Sequence, residues 1–246
     1  MTEPSLRVRI IGRGRAGASF AGALRSVGVD VDGPLGRGDD MEAAARGVDL
    51  VLICVTDAAV AAVAGAIDPV PGTLIAHVAG SLGLDVLAPH PRRASLHPVV
   101  SLPDVVTGAA GLLDAATFAI AGDSAISRVV TLLGGRTVAV AEADRVLHHA
   151  AACIASNHLV ALMGQVERIA ESIGVPADAY LGLAQASMAN VVALGAAAAL
   201  TGPAARGDIA TIERHVAALD PSERAAYRAM ADSARRLARE RDGGAS

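Results

Sequence analysis

Two sets of residues in this sequence have types and spacings suited to chemistry. The first is Gly12, Gly14 and Gly17 in the run RVRIIGRGRAG, a G-x-G-x-x-G spacing directly after the apolar positions Val8, Ile10 and Ile11. In such a pattern the first glycine permits a sharp turn out of a strand and the second lets backbone approach a pyrophosphate. The third lets the next helix pack on the sheet. A helix over about Ala18 to Val27 would then aim unpaired N–H groups and the positive end of its dipole at the phosphates. In a chain with 26 glycines the spacing alone is a weak signal. A strand before it, a helix after it and a second apolar strand at the expected distance turn Gly12, Gly14, Arg15, Ala16 and Gly17 into a candidate dinucleotide loop.

The second set is His149, Cys153, Ser156, Asn157 and Val160, spaced i, i+4, i+7, i+8 and i+11 and so expected on one face of a helix. That face is too polar for ordinary core. Ser156 and Asn157 are suited to hydrogen-bond a substrate carbonyl or carboxylate, Asn157 having the alternative of a locally satisfied buried amide. His97 and His149 are the groups suited to protonate a developing alkoxide near neutral pH, although His97, before Pro98, also reads as a turn residue. Arg206, held between Pro203 and Gly207, can offer a guanidinium to a carboxylate or pair with Asp208. Cys153 lacks the electropositive setting of a nucleophilic thiol. No metal site is expected, because no His pair has ligand spacing with a carboxylate and His148 and His149 should point to different helix faces.

The elements that position these residues follow from apolar patterning. Val29–Leu35 reads as a second strand, ending in Gly36-Arg37-Gly38. Acids at this strand end suit the ribose hydroxyls of NAD, and an arginine just beyond it suits the 2′-phosphate of NADP. Asp30 and Asp32 fall early enough to be the strand's exposed side, so Arg37 favours NADP. A short helix is expected over Asp39–Arg46. Val48–Val55 is a continuous apolar strand covered on both faces, which places Val55, Thr56 and Asp57 at a carboxyl end, with Asp57 also a candidate helix cap. Thr73–Val78, Arg93–Leu96, Thr117–Ala121 and Thr137–Val140 continue the sheet, with Gly80 in the turn after the first of these and a helix over Ser124–Leu133. The expectation is an α/β chain, residues 1–141 forming a doubly wound parallel-sheet dinucleotide-binding domain. Residues 142–246 should form an all-α domain: helices at Ala143–Gly174 and Asp178–Leu200, a third capped by Asp208, and a last one opened by Asp220-Pro221-Ser222-Glu223 with Glu223 as a capping-box acid.

Composition sets limits. The 246 residues suffice for a sizeable core, which must be built from Val, Leu, Ile and Ala because aromatics make up only 2%. A net charge of −4 argues against a nucleic-acid partner, and the Arg235–Arg241 segment reads as a solvated helix face. Two distant cysteines in apolar segments suit buried thiols in a reducing cytoplasm. Met1 to Leu6 shows no leader-like apolar region, and no uninterrupted apolar run is long enough to span a bilayer despite a mean hydropathy of +0.45. Apolar helices such as Met188–Leu200 suggest a homodimer through the helical domain.

With the glycine loop, Val48–Asp57, Ser95-Leu96-His97-Pro98, Thr201-Gly202-Pro203 and Arg206-Gly207-Asp208 placed, the chain resembles the Rossmann-like oxidoreductases with a C-terminal helical domain of formerly unknown function. These belong to the 6-phosphogluconate dehydrogenase-like superfamily, with ketopantoate reductase, 3-hydroxyisobutyrate dehydrogenase and pyrroline-5-carboxylate reductase as relatives. The resemblance covers nearly the whole chain. It implies an NADP-dependent reductase of a small carboxylate-bearing carbonyl compound, a ketopantoate-like 2-oxo acid first, or an imine. In many of these relatives a catalytic lysine stands four residues before an asparagine, and here Cys153 precedes Asn157 by that spacing. The missing lysine leaves open a second class of function, a catalytically silent NADP-binding sensor.

Overall fold

The computed structural model describes residues 6–243. The expectation of no leader at the N-terminus concerns residues 1–5, which, like residues 244–246, lie outside the described residues. The chain divides into two compact units between Asn157 and His158.

The first unit is built on strands whose alternate side chains serve two apolar layers. In β1 (Arg7–Ile11) and β3 (Leu50–Ile53), Val8, Ile10, Leu50 and Leu52 enter one layer, while Ile11, Val51 and Ile53 enter the other. A run with no polar alternation is therefore the period-2 pattern of a strand covered on both faces. The first layer receives Phe20 and Leu24 from α1 (Arg15–Ser26), Leu112 from α3 (Val105–Leu113), and Val129 and Val130 from α4 (Ser127–Leu132). The second receives Val60 and Ala64 from α2 (Asp57–Gly65), and Ala44 and Ala45 from a single 3₁₀ turn, Glu42–Ala45, which replaces the longer helix expected there. Each fully buried Leu or Ile contributes about 1.5–3 kcal/mol of burial free energy.

With β2 (Asp30–Leu35), β4 (Leu74–His77), β5 (Arg93–Pro98), β6 (Thr117–Gly122) and β7 (Arg136–Ala139), the sheet order is β2-β1-β3-β4-β5-β6-β7. Asp30 and Asp32 lie on the exposed edge, paired with Arg7 and Arg9. The all-parallel expectation is corrected at one place: β5 and β6 run antiparallel, with Pro98 opposite Phe118. The cause is α3, which sequence patterning does not reveal because two glycines interrupt it. Asp104 caps it through Val106 and Thr107 N–H, and it lies along α1, where Ser19 Oγ donates to Asp104 O. The chain thus re-enters the sheet from the end at which it left.

The long helix expected at Ala143–Gly174 is a 31-residue helical stretch, Glu142–Ser172. It opens with a 3₁₀ turn, continues as α5 (Arg145–Cys153), passes through a π segment, Ile154–His158, and ends as α6 (Leu159–Ser172). By length and composition it is apolar enough to cross a membrane, although its polar residues break every uninterrupted apolar run. Its first turn is tied into the sheet unit by the buried Arg145, as a helix of a folded domain would be.

Within the second unit, α10 (Ile209–Ala218) is capped by Asp208, as expected, and α11 (Pro221–Gly243) begins at the proline. Glu223 does not serve as a capping-box acid: its carboxylate pairs with Arg168, and its carbonyl accepts from Gln165. The helix expected at Asp178–Leu200 stops at Leu194 as α7 (Asp178–Leu194), because Gly195 takes φ +79°, a left-handed value that ends a helix. Two single turns follow, α8 (Ala196–Ala199) and α9 (Gly202–Ala205). No residue of α7 is buried, and Leu183 and Val192 are 67% and 84% exposed.

Candidate active site

The carboxyl ends of β1 and β3 meet beside β2, where neighbouring chains leave the sheet in different directions, the usual ligand position in open α/β sheets. A cleft of about 780 Å³ lies there. It is lined by Ile11–Ala16, Leu35–Asp39, Met41, Cys54–Thr56, Ala59, Val63 and Leu102. Gly12 has φ +119°, and a Cβ on it would lie 2.2 Å from Cys54 O. Gly17 supports the wall from behind, its would-be Cβ 1.9 Å from Gly12 O. Gly14 differs: nothing lies within 4 Å of the corresponding position. It is the N-cap of α1, whose first turn holds no acid. The first-turn amides of Arg15, Ala16 and Gly17 have no intrahelical acceptor, so the open cradle fits a diphosphate.

Charge around the cleft is arranged by one loop. Asp39 accepts from Gly36 N–H at 2.7 Å and from Arg13 Nη2 at 2.8 Å, so both a glycine turn and an arginine hold it. Arg37 is exposed on the same loop and has no ion-pair partner among the described residues. Arg15 reaches Pro103 O. Val55 and Thr56 line the cleft. Asp57 is not the cap of α2, a position taken by Thr56, and its carboxylate instead accepts from Ser81 Oγ at 3.0 Å.

A second cluster stands at the ends of β4 and β5. His97 Nδ1 lies 3.1 Å from His148 Nε2. The rings of His148 and His149 stand edge-on to His97, with centroids at 5.2 and 5.7 Å. The expectation that His148 and His149 serve different faces is corrected: adjacent residues on α5 straddle one ring. Gly80 makes this approach possible, since a Cβ there would fall 2.5 Å from His149 Cδ2 and 2.9 Å from His97 Nε2. Cys153 Sγ lies 3.9 Å from His149 Nε2, and it is half-buried, whereas Cys54 is fully buried and its thiol is pushed up by desolvation. Burial, then the neighbouring histidines and Arg145, push His97 down to about 4. Desolvation likewise lowers His148 and His77. Among the described residues no group of three ligands can hold a metal.

Sequence reasoning missed Arg145, His148 and His77. Arg145 is 2% exposed and donates to Ser95 Oγ and Ala79 O. A lone arginine three and four residues before two histidines on an apolar helix was the available signal, because those offsets share a face. The π segment changes the other expectation. Ser156 and Asn157 lie within this segment, Ser156 half-buried and Asn157 exposed. Arg206 is exposed in the second unit, and Asp208 is engaged by Thr211 rather than by it.

Solved structures share this fold. A Bacteroides fragilis protein described as a candidate NADP oxidoreductase matches at TM-score 0.78 and 20% identity, covering 94% of this chain and 98% of its own. Pyrroline carboxylate reductase of Plasmodium falciparum, solved with NADP bound, matches at 0.64 and 14%, covering 95% and 98%. An imine reductase of Streptomyces aurantiacus matches at 0.63 and 15%, covering 94% and 93%. No curated protein matches the sequence. The Rossmann-like sheet with a helical second half is thus a fold shared with these solved proteins, and residues 116–234 match the family described as a domain of unknown function (DUF2520).

Proposed function

We propose that this protein is an NADPH-dependent reductase of a small carbonyl compound bearing a carboxylate, with ketopantoate-like 2-oxo acids as the favoured substrates. The observation that carries this reading is the glycine-floored cleft at the carboxyl ends of β1 and β3. NADPH bound there would supply the hydride, leaving the chain to orient the carbonyl and manage one proton. Asp39 is already engaged by Arg13 and Gly36, which disfavours it as an acceptor for ribose hydroxyls, while exposed Arg37 suits a 2′-phosphate. Because His97 resists protonation, its role at neutral pH is that of an uncharged N–H donor to developing negative charge. His149, Ser156 and Asn157 are the remaining polar groups offered to substrate.

An imine substrate is the second reading, favoured by the pyrroline carboxylate and imine reductases among the fold neighbours. A silent NADP-binding role is the third, motivated by Cys153 where many relatives carry lysine. Anaerobic mixing with NADPH and a panel of 2-oxo acids and cyclic imines, followed at the nicotinamide absorbance, separates them. Loss of absorbance identifies the substrate class, whereas tight binding without turnover across the panel supports the sensor. We further propose a homodimer, since α7 exposes Leu181, Leu183, Met188, Val191, Val192 and Leu194, an apolar pattern that belongs to covered helices, and none of its residues is buried.

A further inference from the structure

We propose that Arg145 is a positioning residue for the His97–His148 pair, its guanidinium tying α5 to β5 and to the exit of β4 and setting a fixed positive charge close to the rings. The argument begins with an imbalance. A buried arginine is normally matched by a carboxylate, because desolvating an unpaired cation is costly. Arg145 is 2% exposed, yet no carboxylate among the described residues forms an ion pair with it. Its bonds go to neutral acceptors, Ser95 Oγ at 2.7 Å and Ala79 O at 3.1 Å, and its Nε has no partner.

Those two acceptors flank the histidine cluster in sequence. Ala79 precedes Gly80, whose missing side chain admits the rings of His97 and His149. Ser95 lies two residues before His97 on β5, on the same side of that strand. Arg145 precedes His148 by three residues, so one helical turn carries both the cation and the ring that contacts His97. The guanidinium therefore fixes α5 to both strand ends and holds a permanent positive charge near the rings.

Two carboxylates, Asp57 and Glu142, oppose it, each held by a neutral donor rather than by the guanidinium. Facing the pair are His149 on α5, His77 at the end of β4, Asp57 at the start of α2 and Glu142 before α5. Asp57 is engaged by Ser81 Oγ, and Glu142 accepts from Leu84 N–H at 2.9 Å. His77 presents its Nε2 to Gly83 O, which makes that nitrogen the N–H donor and leaves Nδ1 bare. The result is a buried cation close to two rings, His97 and His148, that burial already biases toward the neutral form.

This inference rests on the cluster being a working site, but its test requires no turnover. Histidine ring NMR of the full chain should show His97 neutral down to about pH 4. Arg145→Met should raise the His97 midpoint only part of the way toward the ordinary 6.5, because burial and the neighbouring histidines remain, whereas Arg145→Lys should leave it near the wild-type value. Where the methionine variant does not fold, Arg145→Gln, whose amide can still reach Ser95, replaces it. A wild-type His97 titrating near the ordinary 6.5 would overturn the proposal. So would equal shifts in the lysine and neutral variants, or none in the neutral ones. A lysine variant that folds while both neutral variants do not would also count against it, because it would assign the charge to holding the fold rather than the rings. Each of these results leaves the NADPH reading untouched.

Discussion

Gly12, Gly14 and Gly17 are equivalent in the sequence motif, and the structure gives them different tasks that alanine substitution should separate. At Gly17 a Cβ would sit 1.9 Å from Gly12 O, where ordinary contact begins at 3.4 Å, so α1 and the loop must part by about 1.5 Å. Both partners are backbone, and neither can swing aside. Overpacking of this kind costs about 3 kcal/mol, the upper part of its usual range, which for a chain of this length lowers the melting temperature by about 6–12 °C. Gly12→Ala should be at least as damaging, because it adds a φ of +119° to a 2.2 Å clash with Cys54 O. Gly14 has φ −75° and open space around it, so alanine should change stability by less than about 1 kcal/mol. Its methyl would instead stand where a diphosphate must approach, and NADPH affinity should fall at least about tenfold, or about 1.4 kcal/mol. Thermal melts paired with calorimetric NADPH titrations decide the matter. Wild-type NADPH affinity in Gly14→Ala, or a wild-type melting temperature in Gly17→Ala, would refute the reasoning.

Three further outcomes are expected. Arg37→Ala should weaken NADPH about tenfold while leaving NADH affinity unchanged, and equal losses for both would remove Arg37 from the 2′-phosphate. Between the ordinary 6.5 and the depressed value of about 4 for His97, the unfolded chain binds a proton that the folded one does not. Stability is therefore full above that window and falls as pH drops through it, and His97→Asn should flatten the slope of urea midpoint against pH. Val192 is 84% exposed on α7, the helix proposed to meet a second copy. Light scattering should give a two-chain mass for the wild type and a one-chain mass for Val192→Glu; a one-chain wild type would rule the dimer out.

The parts of this protein that local chemistry controls were legible from the residues. The glycine spacing after an apolar strand located the cleft, because turn geometry and close backbone approach depend on side chains being absent at fixed positions. The VDLVLICV run marked a central strand, and Asp208 and Pro221 marked helix starts, because burial on both faces and N-terminal capping each leave a short-range signature.

Other features depended on contacts that no local pattern encodes. The reversal between β5 and β6 is set by where α3 comes to rest on α1. The π segment that holds Ser156 and Asn157 departs from the 3.6-residue periodicity on which a sequence pattern relies. The histidine cluster is the clearest case. His97 and His148 are 51 positions apart and become neighbours through the placement of a strand end, a helix start and a glycine without a side chain to hold them apart. The sequence by itself therefore determined where the glycine-floored cleft lies, since backbone conformation and capping are local. Only the tertiary structure decided which histidines meet, and that an unpaired arginine lies beneath them, since protonation depends on burial and on charges brought together across the fold.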